Sequence, residues 1–208
     1  MTEHEYALIN GVNRSKVGRY IAAVAGGLAA LLVFLFLLIV NLAGFLGWNV
    51  NLPPTILSLA VTGSIYFGLY WLFDRFAWRW RWLSRLIGVP DLSGEWSCNG
   101  QTTDADGSVT YEWVATVSIV QTWDKVRVRL KTEQSGSNSI NAALIHDSVD
   151  GYRLIYNYRN DPRPGEPELR THHGFAELTF NDDLRSAEGN YFNGHGRYTF
   201  GRMQLTRK

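Results

Sequence analysis

Two apolar segments, Ile21–Val40 and Ile56–Phe73, dominate the first third of the chain, whereas the sequence after Pro90 alternates apolar and polar positions. At about 1.5 Å of rise per residue, a helix of either run comes close to crossing a bilayer core of about 30 Å. The loop Asn41–Thr55 between them carries no charged residue. This pattern predicts a two-helix transmembrane hairpin attached to a separate all-β domain. A cleaved signal peptide fits poorly, because the first run starts late, runs long and is followed by no small-x-small cleavage site.

In the second part the period is two. In Val109–Gln121, residues Val109, Tyr111, Trp113, Ala115, Val117 and Ile119 share one face, and Thr110, Glu112, Thr116 and Ser118 share the other. Val126, Val128 and Leu130 alternate with Lys125, Arg127, Arg129 and Lys131, and Leu154, Tyr156 and Tyr158 lie together within Tyr152–Arg159. Further strands are expected at Leu92–Cys98, Ile140–Asp147, Thr171–Phe180, Arg185–Phe192 and Arg197–Thr206. Turn signals separate them at Asp106-Gly107, Ser135-Gly136, Asp150-Gly151, Pro162–Gly165 and Asn181–Asp183. About eight short antiparallel strands at regular spacing suggest an up-and-down β-barrel or a sandwich. The inward faces favour a barrel. They mix Gly174, Ala176, Ala187, Gly189 and Gly201 with Tyr156, Tyr158, His172 and Tyr191, which describes an aromatic-walled cavity rather than a solid aliphatic core.

Charge placement orients the hairpin. Arg14, Lys16 and Arg19 precede the first run and Arg75, Arg79, Arg81 and Arg85 follow the second, so the positive-inside rule puts both termini of this multi-pass chain in the cytoplasm. The expected domains are a cytoplasmic N-terminal segment (1–19), the hairpin (20–73), a basic and aromatic interfacial linker (74–90) and a cytosolic β-barrel (91–208). In the linker, Arg75–Trp82 interleaves Trp and Arg, as suits a headgroup layer. The overall net charge of +1 averages two dissimilar parts, and the β-domain has no basic excess of the kind that binds DNA or RNA polymers. Cys98 is the single cysteine, which excludes an intrachain disulfide.

No enzymatic motif emerges. His4, His146, His172, His173 and His195 do not fall at metal-ligand spacings, and His172 and His173, adjacent on a strand, point to opposite faces. Gly194-His-Gly-Arg197 lacks the Lys-Ser/Thr of a phosphate loop and reads as a hairpin turn. The chain is expected to be a non-enzyme with no cofactor and no metal. In the membrane segments, Ala22, Gly26 and Ala30, Ala23 and Gly27, and Ser64 and Gly68 repeat a four-residue small-residue spacing. Those faces serve either packing within one hairpin or association between copies.

Two resemblances attach to these residues. Gly94-Glu-Trp96 is similar to the G-x-W of lipocalins, whose Trp closes one barrel end beneath an Arg of the last strand; Arg202 or Arg207 is then the partner. Over nearly the full chain, two apolar helices, the basic aromatic junction, Asp91–Trp96, His173–Leu178 and Gly189–Gly194 resemble the two-transmembrane β-strand-rich effectors of bacterial cyclic-oligonucleotide-based antiphage signalling systems (CBASS). That likeness implies a cytosolic sensor for a cyclic di- or trinucleotide made by a partner synthase during infection. It also implies ligand-driven homo-oligomerisation of the helices, disruption of the inner membrane, and cell death or growth arrest.

Such a ligand presents π faces and phosphodiester anions, which call for aromatic stacking and cationic donors. Tyr156, Tyr158 and Arg159 are the first candidates, with His172, Tyr191 and Arg197 completing wall and rim. The alternative function is a membrane-tethered lipocalin-like module for a lipid or other small apolar ligand.

Overall fold

In the computed structural model, residues 3–47, 54–147, 149–166, 170–194 and 197–208 are described. Residues 48–53 of the predicted inter-helix loop, and His195 with Gly196 of the predicted glycine-rich turn, lie outside them; the flanking parts of that loop are helix, up to Phe45 and from Pro54. The chain divides into two compact units, Val12–Ala77 and the combination of Met1–Gly11 with Trp78–Lys208.

The helical unit contains α1 (Arg14–Phe45) and α2 (Pro54–Arg75). Asn13 caps α1 by accepting from the Ser15 backbone N–H at 2.8 Å. Among the described residues, α1 alone is long and apolar enough to cross a membrane, with a mean hydropathy of 2.9 in its best window. Its buried seam is Val17, Ala25 and Ala29, while Leu31, Leu35, Leu38 and Leu42 are exposed. An apolar surface of this extent is intolerable in water and suited to lipid. A methyl group added at Gly26, Gly27 or Gly68 would meet nothing within 4 Å, so those glycines do not form the seam between the two helices.

The second unit is all-β apart from a 3-10 turn (Ala77–Arg79) and α3 (Arg81–Ile87). Its strands are β1 (His4–Ile9), β2 (Gly94–Thr103), β3 (Val109–Gln121), β4 (Lys125–Lys131), β5 (Ser135–Asp147), β6 (Gly151–Pro162), β7 (His172–Phe180), β8 (Ser186–Asn193) and β9 (Phe200–Arg207). From β2 to β9 each strand pairs antiparallel with the next, and β9 pairs back onto β2, so the ladder closes on itself. Two features differ from the eight antiparallel strands expected. β4 and β5 pair only where Arg129–Lys131 meets Gly136–Asn138, and beyond that point they part. A ninth strand, β1, fills the gap, antiparallel to β4 at His4 and Glu5 and parallel to β5 from Tyr6 to Ile9. β5 also starts earlier than its apolar pattern, because its first inward positions are the buried serines Ser137 and Ser139.

Inside the ring, one end is solid. Trp96 is fully buried, donates from Nε1 to the Leu92 carbonyl at 3.2 Å, and meets Phe180 edge to face at 5.4 Å. The guanidinium of Arg207 lies 5.4 Å from the Trp96 ring centroid, which settles the lipocalin-like partner as Arg207. Arg202 points outward, since inward parity on β9 belongs to Met203, Leu205 and, at the strand end, Arg207. Buried Gln121 ties this end together, with Oε1 accepting from the Leu92 N–H at 2.9 Å and Nε2 donating to the Pro90 carbonyl at 3.2 Å and to the Tyr6 hydroxyl at 3.4 Å. The segments entering and leaving the helical unit are therefore both fastened at the closed end of the ring.

Candidate functional site

The other end of the ring is hollow. Its cavity has a volume of about 630 Å³, within the roughly 300–1,000 Å³ of small-molecule sites. The change occurs along single strands. On β6, Leu154 packs into the closed end, Tyr156 stands where the core stops, and Tyr158 and Asn160 line the cavity.

Five of the six candidate ligand residues, Tyr156, Tyr158, His172, Tyr191 and Arg197, line this one cavity. Arg159 does not. It has the opposite parity to its tyrosine neighbours on β6, is exposed, and pairs with Asp161 at 3.0 Å on the outside. Trp113, Thr102 and Asn193 also line the cavity and were not singled out from the sequence.

The aromatic groups are held by hydrogen bonds rather than left to rotate. Tyr191 shares a hydrogen bond with Thr102 Oγ1 at 2.7 Å and accepts from Trp113 Nε1 at 3.2 Å; its ring stands edge to face with the indole at 5.6 Å. Tyr158 donates to Asn193 Oδ1 at 2.8 Å, and the Asn193 amide donates to Thr199 at 2.7 Å. Burial pushes the Tyr156 and Tyr158 hydroxyls well above the ordinary phenol range, so both are neutral donors at physiological pH.

His172 is 4% exposed and shares a 2.9 Å hydrogen bond through Nδ1 with the Arg170 carbonyl. A carbonyl only accepts, so Nδ1 carries the proton. Burial is the main cause lowering its pKa below 6.5, with nearby Arg197 acting in the same direction and the Arg170 carbonyl and Asn193 side chain opposing it. The imidazole is therefore neutral near pH 7. Cys98 is buried, and desolvation pushes its thiol up to about 12, which removes it as a nucleophile. Among the described residues no group of three or more His, Cys, Asp or Glu side chains is placed to hold a metal ion.

Phenols, amides and hydroxyls dominate this lining, with Arg197 and the carboxylates of Glu112 and Glu133 as its charged members, so it offers stacking faces and hydrogen-bonding groups to a small molecule. Joined to an apolar helical unit, such a cavity defines a membrane-attached small-molecule receptor. Known proteins are similar to this chain in sequence over its whole length. The family model described as "Cap15, cyclic dinucleotide receptor domain" matches residues 87–207, and that described as "Cap15, TM helices" matches residues 15–79. CD-NTase-associated protein 15 of Yersinia aleksiciae is 47% identical over 207 residues, covering 100% of this chain and 98% of the relative. The chain belongs to the Cap15 family of CBASS membrane effectors.

Proposed function

We propose that this chain is an antiphage effector in which the cavity captures a cyclic dinucleotide made by a partner synthase. Binding then drives clustering of the helices and disruption of the inner membrane. The observation that carries the sensing half is the cavity itself, which combines several braced aromatic rings, neutral hydrogen-bonding groups and Arg197 in a space of small-molecule size. We read the ring as a lipocalin-like up-and-down barrel of eight strands with β1 wedged into one seam.

The topology of the hairpin finds support in β1. It precedes α1 yet pairs with β4 and β5 of the same sheet that follows α2. A chain that leaves a domain and returns to it crosses a bilayer an even number of times. With α1 long enough to span, two crossings is the smallest solution, α2 being the second. The basic residues flanking both helices then put the domain and both termini in the cytoplasm, where the nucleotide signal is made. The open faces at Gly26 and Gly68 are free for contacts between copies. We assign no catalytic step and no cofactor to the chain.

The test is dye release from liposomes containing the full chain. Release on addition of a cyclic dinucleotide, and none before it, is the expected result; binding of fatty acids with indifference to cyclic nucleotides establishes the lipid-carrier reading instead. Gly26→Leu is expected to keep ligand binding while reducing release and the ligand-induced oligomers seen by crosslinking.

A further inference from the structure

Two aromatic rings in the cavity have an unusual seat. Trp113 on β3 stands opposite Gly100 on β2, and a methyl group placed on Gly100 would fall 2.2, 2.2 and 2.5 Å from three consecutive carbons of the indole. Near-equal distances to successive ring atoms mean that the face of the indole, not its edge, covers the glycine. Tyr158 on β6 stands opposite Gly174 on β7 in the same manner, with that methyl position 2.4 Å from both Cζ and the hydroxyl oxygen. In each case the absent side chain lets the ring lie down against the neighbouring strand. The other face is left toward the cavity that both rings line.

The two seats are on opposite walls. Around the ring, β2 and β3 are separated from β6 and β7 by β9 and β8 on one side and by β4, β1 and β5 on the other. Both rings are braced from β8, Trp113 by the Tyr191 hydroxyl and Tyr158 by Asn193. Arg197 lies in the connection between β8 and β9, beside the gap between the walls, and its charge reaches Tyr158 and His172. A ligand fitting this frame has two flat π systems joined through an anionic centre.

We propose that Trp113 and Tyr158 are the two base-stacking platforms of the cavity, one for each nucleobase of a cyclic dinucleotide, with Arg197 meeting the phosphodiester core between them. The assignment rests on the receptor reading above and adds which side chains take the bases. It makes Gly100 a positioning residue, acting through the indole it seats.

The experiment is titration of the full chain in detergent with a panel of cyclic dinucleotides, read by calorimetry and by tryptophan fluorescence. Each platform carries one base, so Trp113→Leu and Tyr158→Leu should each weaken binding roughly 5- to 150-fold, the span of base–aromatic stacking. Trp113→Phe and Tyr158→Phe keep a π face and should retain most of the affinity, which separates stacking from the mere filling of space. Ligand should quench fluorescence in the parent chain, and the quench should shrink in Trp113→Phe despite retained binding. Gly100→Ala unseats the indole and should weaken binding while Trp113 is still present. Leu variants that bind as tightly as the Phe variants, or an undiminished quench in Trp113→Phe, overturn the platform assignment. Failure of the parent chain to bind any cyclic dinucleotide overturns instead the receptor reading on which it rests.

Discussion

The two ends of the strand ring use one alternation for opposite purposes. At the closed end the inward positions hold Trp96, Val117, Ile119, Leu154, Leu178 and Leu205, all 2% exposed or less. At the open end the same parity delivers Gly100, Trp113 and Tyr158 on three of those strands, and Tyr191 on β8, around an empty volume. The first arrangement stores stability, because large apolar surfaces are removed from water and fill the space. The second forgoes that packing and holds rings, amides and hydroxyls in place around the cavity by hydrogen bonds. Parity tells inside from outside; side-chain size and chemistry tell a plug from a pocket.

The largest expected effect breaks the closed end. Trp96→Ala removes the fully buried indole, its hydrogen bond to Leu92 and the Arg207 contact, and should cost about 3–5 kcal/mol of stability by chemical denaturation. Next is the open end. Replacing Tyr156 and Tyr158 together by Ala should abolish cyclic dinucleotide binding, measured by calorimetry, while membrane insertion measured by carbonate extraction is unchanged. Loss of insertion together with binding would mean that the tyrosines are core of the same kind as Trp96.

A smaller effect follows from His172. Its folded-state pKa lies below the unfolded value of 6.5, so the unfolded chain takes up a proton first as pH falls. The native state is favoured most above pH 6.5 and loses stability on acidification below it. Denaturation midpoints between pH 7.5 and 5 should therefore fall less steeply in His172→Gln than in the parent chain. The smallest effect is at Cys98, whose thiol is buried and held protonated; iodoacetamide should leave it unmodified in the native chain and label it after denaturation.

The same comparison explains what was legible in the sequence. β3 and β4 have the bounds that their alternation predicts, because each presents a continuous apolar face. β5 starts at Ser135, ahead of the Ile140 that its apolar alternation predicts, since Ser137 and Ser139 are inward and polar and so mask the period. β1 carries only six residues ahead of a long helix, and its partners β4 and β5 are more than a hundred residues away, so no local signal announces it. Among the site residues, the exclusion of Arg159 was readable from its parity with Tyr158. The choice of Arg207 over Arg202 was readable in the same way from Met203 and Leu205. Trp113 falls on the apolar face of its strand by alternation, but only the register that sets it opposite Gly100 distinguishes a seated ring from ordinary core.

The helical unit and the receptor unit teach a second contrast. The helical unit presents bare apolar surface whose partner is lipid, while the receptor unit hides its apolar surface at the closed end and exposes polar chemistry inside the cavity. Within the receptor unit, the closed end is tied together by Gln121, which joins Tyr6 to Pro90 and Leu92.

The most direct measurement is a calorimetric titration of the full-length chain in detergent with cyclic dinucleotides, set beside Tyr158→Leu. Saturable binding of one ligand per chain that weakens at least fivefold in the variant is the expected result. Undiminished affinity in Tyr158→Leu, or a parent chain that ignores cyclic dinucleotides and binds fatty acids, would contradict the assignment of the open end as a nucleotide receptor.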